Sequence, residues 1–139
     1  MSEQDLLRAV VEAEQAAVYG YGVLGARLDP VTRRLAVTSY DVHRARRDRI
    51  VAALEDRGGT APRPLAAYDV VVPDRAAALA LAVQLEEGMA LRWRALVSGT
   101  GDRELRQVAV SALQESAVRA AQWRRLAKVT PVTVPLPGT

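Results

Sequence analysis

The sequence predicts an all-α fold, an antiparallel four-helix bundle with a long crossover between its second and third helices. Three observations carry this. Four long segments repeat apolar residues at helical spacing, and each opens on a residue of the helix-capping type. Two short breaks and one long proline-rich connection separate them, in the order short, long, short. Half of the 139 residues are hydrophobic, yet the chain contains no Phe and no Cys. The core must then be built from Ala, Val and Leu, with Trp93, Trp123 and four tyrosines as large fillers, so the packed elements must approach closely.

Ser2, followed three residues later by Asp5, reads as a capping box that starts the first helix. Leu7, Val10, Val11, Ala17, Val18, Tyr21, Leu24 and Leu28 then keep one apolar face. Asp29-Pro30 ends that helix and starts the second, because Asp caps and Pro suits the first helical position. The second runs to about Arg57 with Leu35, Ala36, Val42, Ile50, Ala53 and Leu54 inward, and Gly58-Gly59 stops it. Residues 60–73 hold three prolines and the extended-looking Val70-Val71-Val72, too long for a turn and too proline-rich for a helix. Asp74 caps a third, alanine-rich helix to about Ser98, with Leu79, Val83, Met89, Ala90, Trp93 and Leu96 at core spacing. Gly99-Thr100-Gly101 breaks it, and Asp102 caps a fourth carrying Leu105, Val108, Ala112, Leu113, Trp123 and Leu126. The bundle is expected over residues 1–129, and residues 130–139, with three prolines, as a loose tail. Helices of roughly 25 residues span about 37 Å, matched in length as a bundle requires.

Composition excludes several classes of function. Without Cys there are no disulfides, thiolate metal sites or thiol nucleophiles. The acidic start, Met1-Ser2-Glu3-Gln4-Asp5, is not that of a signal peptide, and no apolar run reaches the roughly 18 residues of a membrane span. A soluble, cytoplasmic protein is expected. The pattern Gly20-Tyr21-Gly22-Val23-Leu24-Gly25 imitates a dinucleotide fingerprint, but it sits on a helical repeat with no strand before it, so close backbone approach within a helix is the better reading. The net charge is +3, and Lys128 is the only lysine. Arg44, Arg46, Arg47 and Arg49, with Arg124, Arg125 and Lys128, raise the alternative of a basic protein associated with nucleic acid. Asp41, Asp48, Glu55 and Asp56 interrupt that face, and a pair such as Arg44–Asp48 would consume charge within the helix.

The core stripes carry a sharper signal. Leu7, Glu14, Tyr21 and Leu28 lie seven apart, which puts Glu14 on the inward seam of the first helix. Ala36, His43 and Ile50 do the same for the only histidine, and Leu79, Glu86 and Trp93 for Glu86. Val108, Glu115 and Gln122 place Glu115 near the seam of the fourth, while Glu87 becomes the inward residue if the third helix is rotated. One ionisable group per helix at similar depth can converge in the core, and carboxylates with imidazole there are the ligand types of a di-iron or di-manganese centre.

With Ala16-Ala17-Val18-Tyr19-Gly20-Tyr21-Gly22-Val23-Leu24-Gly25 after Glu14, and with His43-Arg44-Ala45-Arg46-Arg47-Asp48, the chain resembles a ferritin-like domain family of unknown function found mostly in actinobacteria. The resemblance covers about residues 3 to 128 and implies a ferritin-like bundle. Against the superfamily's ligand pattern, Tyr40-Asp41-Val42-His43 has a phenol where Glu is expected, and Glu115-Ser116-Ala117-Val118 lacks the second histidine. Four of the six ligand positions the resemblance implies remain: Glu14, His43, Glu86 and Glu115.

Buried carboxylates must be paired, protonated or solvated. Arg119 follows Glu115 by four residues and Arg46 follows His43 by three, each on nearly its partner's face. The expectation is therefore a non-catalytic bundle without cofactor, in which Glu14, Tyr40, His43, Arg46, Glu86, Glu115 and Arg119 form a buried polar network in place of the metal centre. The alternative is an iron- or manganese-binding protein or oxidoreductase using Glu14, His43, Glu86 and Glu115. An Ala- and Gly-rich helix face also allows a homodimer.

Overall fold

The computed structural model describes residues 1–139 and contains four long helices and no strand: α1 (Glu3–Leu24), α2 (Pro30–Glu55), α3 (Arg75–Gly99) and α4 (Arg103–Ala127). The chain is all-α, a four-helix bundle. Each helix opens on a side-chain cap. The Ser2–Asp5 capping box is reciprocal, Asp29 takes the N–H groups of Val31 and Thr32, and Asp74 and Asp102 take those of Ala77 and Leu105. Four orphan donors at each N-terminus explain why these short polar side chains recur there. At the other end of α2, Gly58 adopts φ +76° and the N–H of Gly59 returns to the Leu54 carbonyl, a left-handed stop that a β-carbon would disfavour. The first helix is shorter than its apolar stripe suggests, because Gly25–Arg27 tightens into a 3-10 turn before Asp29. Leu28 nevertheless reaches the core.

The 56–74 connection lies along α1. Gln4 and Gln15 donate to the carbonyls of Arg57 and Pro62 at 2.7 and 2.8 Å, Tyr19 packs on Tyr68, and Arg27 reaches the Val72 carbonyl at 3.0 Å. These contacts advance together along both segments, so α3 begins beside the C-terminus of α1 and runs back towards its start, where Thr100 donates to Glu3. Consequently α1 is antiparallel to both helices it packs against, α2 and α3, and α4 returns along α3. The fourth seam is looser. There α2 and α4 face each other across a groove of about 400 Å³.

The core is small-toothed, as the composition requires. Trp93 and Trp123 are its largest buried side chains, set among Leu7, Leu24, Leu54, Leu96 and several fully buried alanines. Gly20 of the imitation fingerprint faces α3 so closely that a β-carbon would fall 2.6 Å from Leu85 Cδ1. The last ten residues, expected as a loose tail, run back over α3 and α4, where Arg124 donates to the Val132 carbonyl at 3.2 Å. No helix is long and apolar enough to cross a membrane.

Candidate functional site

Midway along the bundle, all four helices contribute to one buried cluster. The inward heptads of α1 and α2 bring Glu14 and His43 together, with His43 Nδ1 2.5 Å from Glu14 Oε2. From α3, Glu86 Oε1 lies 2.8 Å from His43 Nε2. The same oxygen accepts from Tyr21 Oη of α1 at 2.7 Å and from Arg119 Nε of α4 at 2.9 Å. Trp123 Nε1 donates to Tyr21 Oη at 2.9 Å. Glu14 and Glu86 are fully buried and His43 is 1% exposed, while Arg119 keeps 12% of its side-chain surface.

Both ring nitrogens of His43 thus face carboxylate oxygens. A neutral imidazole has one donor and one acceptor, and an ionised carboxylate only accepts, so one proton more than a neutral ring and two carboxylates must be held here. Burial alone would lower the His43 pKa, but its bonds to Glu14 and Glu86 and their charges prevail and raise it to about 9. The two glutamates diverge for a visible reason. Burial pushes Glu14 up, and so does the Glu86 charge, against His43 as its single hydrogen-bond partner; each glutamate leaves one oxygen unpaired, Glu14 Oε1 and Glu86 Oε2. Burial pushes Glu86 the same way, but the His43 bond, the charges of His43 and Arg119, and the Tyr21 hydroxyl hold it below the usual carboxylate range. Burial and the adjacent Glu86 charge lift Tyr21 well above the ordinary phenol value, so it remains a neutral donor. Two cations, His43 and Arg119, balance two carboxylates, and the cluster is neutral as a whole.

Three expected members sit elsewhere. Glu115 is not on the seam of α4: its side chain is 48% exposed, because the buried heptad is Ala109, Ser116 and Trp123, one residue further on. Arg46 pairs with Glu115 at 2.5 Å at the mouth of the α2–α4 groove, outside the cluster. Tyr40 is half-buried on the α1 flank of α2 beside Gly22, with Arg44 over its ring. The phenol that reaches the cluster is Tyr21, seven residues after Glu14 on the same seam, and that spacing was its signal in the sequence. Glu87 points outward to Arg124. In the arginine stretch, Asp48 pairs with Arg47 rather than Arg44.

As metal ligands, Glu14, His43, Glu86 and Glu115 do not fit. The one histidine has both nitrogens engaged by carboxylates, the Arg119 guanidinium occupies the same Glu86 oxygen as His43, and Glu115 lies on the surface. A divalent cation would have to displace two positive charges already in place.

Fold and cluster define the class: an all-α four-helix bundle with a neutral carboxylate–imidazole–guanidinium core. The chain belongs to the family described as a domain of unknown function, DUF4439, whose sequence profile matches residues 7–139. It is also similar to the crystal structure of a conserved hypothetical protein, rv2844, from Mycobacterium tuberculosis, at 36% sequence identity and a TM-score of 0.86 over 89% of this chain and 96% of that one. No curated protein matches the chain.

Proposed function

We propose that this chain is a ferritin-like bundle without catalytic activity, whose metal centre has given way to the buried polar cluster and whose role is structural or that of an interaction module. One observation carries the reading: Glu86 Oε1 accepts from Tyr21, His43 and Arg119 at once, so protein cations occupy the coordination space a metal would need. A guanidinium is always charged and cannot step aside by losing its proton. Such a cluster joins four helices through directional contacts, and misplacing any member leaves a charge in a dry interior.

Elemental analysis of protein purified from iron- and manganese-supplemented medium tests this directly. The expected metal content is far below stoichiometric and unchanged in His43→Ala. One iron or manganese per chain, lost in that variant, would establish the metal-binding alternative instead. The nucleic-acid reading has less support, since Arg46 and Arg47 are held by Glu115 and Asp48 and Arg44 lies over Tyr40. Salt-dependent DNA or RNA binding lost on reversing Arg46 and Arg47 would restore it.

A further inference from the structure

A groove of about 870 Å³ lies away from the charged cluster, on the outer side of α3 and α4 under the C-terminal segment. We infer that this groove is a binding site for an amphipathic anion, an apolar body carrying one carboxylate or sulfonate. Its size falls in the range of roughly 300–1,000 Å³ usual for small-molecule sites. Gly88 and Leu91 of α3, Ala117 and Ala121 of α4, and Val134 and Pro137 of the terminal segment give it apolar walls.

Gly88 has no role in packing the bundle. It lies inside α3, where glycine costs about 1 kcal/mol relative to alanine, and a β-carbon there would meet nothing within 4 Å. The space it leaves belongs to the groove. Its third wall is fixed rather than frayed. The segment is held at one end by the Arg124–Val132 bond and at the other by Gly138, whose φ of +81° and position, 2.6 Å from a would-be β-carbon to the Ala90 carbonyl oxygen, admit only glycine without rearrangement. A groove walled on three sides suits a small molecule better than a helix of a second copy.

A guanidinium at the rim selects the head group of the occupant. Glu87 and Arg124 hold each other at 2.5 Å, while Arg125, exposed and outside every ion pair, presents its guanidinium to the groove. A guanidinium suits a planar oxyanion. This site is separate from the buried cluster, so each reading can fail without the other.

The test uses 1-anilinonaphthalene-8-sulfonate fluorescence on the full chain, with dodecanoate as competitor. The folded protein is expected to enhance the emission, and dodecanoate to reverse it. Gly88→Leu, and Ala117→Leu from the facing wall, should abolish binding while the thermal midpoint stays level or rises. Arg125→Gln should weaken dodecanoate about tenfold, the loss of one charge-assisted contact, and leave dodecanol unaffected. Dye binding that dodecanoate does not displace, or that survives Gly88→Leu, overturns the proposal. So does a change of oligomeric state in Gly88→Leu with dye affinity unaltered, which would give the groove to a second copy of the chain.

Discussion

Two ionic networks hold this bundle together, one dry and one wet. At mid-height, Glu14, His43 and Glu86 are closed to solvent and meet Arg119, which reaches solvent with only 12% of its side-chain surface. At the end where α1 and α4 begin and α2 and α3 finish, Arg57 joins Glu3 and Asp102 at 2.8 and 2.9 Å, and Thr100 donates to Glu3. The clasp also engages all four helix ends, and its acids sit near helix N-termini where the macrodipole favours them. Yet Arg57 keeps 25% of its side-chain exposure and Asp102 42%. Partner count is therefore a poor guide to energetic weight. What separates the networks is the medium left to each group once its partner is removed: water at the clasp, protein at the cluster.

The largest expected effect is at the cluster. Arg119→Met should lose about 3–5 kcal/mol in urea unfolding, as breaking a buried pair does by stranding a charge; a loss as small as that of a surface pair would mean the two networks are energetically alike. Next comes pH. A histidine whose pKa rises from 6.5 to about 9 on folding contributes stability that is complete below pH 6.5 and lost as pH climbs through 9. The amount is on the order of 3 kcal/mol, read as a falling thermal midpoint over that interval that flattens in His43→Gln. Glu14, raised by burial, slopes the same way. Glu86, Glu3 and Asp102, all lowered, instead give up stability as pH falls through their folded values.

Tyr21→Phe should cost about 1–3 kcal/mol, since it removes a donor from Glu86 and leaves the Trp123 N–H unpaired in the core. Chemical denaturation of this variant with no measurable shift would place the phenol outside the energetic unit. At the clasp, Arg57→Ala is expected to lose only about 1 kcal/mol, and added salt should shrink the difference from wild type. Glu115→Gln, at the half-exposed pair with Arg46, should stay within ~0.5 kcal/mol, which a matched pair of unfolding curves resolves.

The dry network was more legible in the sequence than the wet one, because burial leaves a periodic trace. Heptad spacing led to Glu14, His43 and Glu86, since α1, α2 and α3 carry Leu, Ile or Trp on the same stripes. It slipped by one residue on α4, whose inner face is nearly all small: Ala109, Ala112, Ser116 and Ala120. The stripe through Val108, which is only half-buried, places Glu115 inward; the stripe through fully buried Trp123 passes through Ser116 and Ala109 instead. Tyr40 stands three residues before His43, the spacing of a ligand pattern, but spacing says nothing about the angle at which it leaves the helix, which is towards Gly22. The clasp left no trace at all, because its four residues lie at helix ends, where no period operates and proximity is created only by the turn at Gly58 and the path of the long connection.

That connection divides the molecule into two helical hairpins, α1–α2 and α3–α4. Glu14 and His43 both belong to the first, Glu86 and Arg119 both to the second. Each hairpin therefore brings one acid and one base to the interior, and each is balanced within itself. The pairs within the hairpins span 29 and 33 residues of chain and the bonds between them 43 and 65, so charge is matched by the more local contacts. The bonds from Glu86 to His43 and Tyr21 join two halves that are each neutral, so what they fix across the seam is register rather than charge.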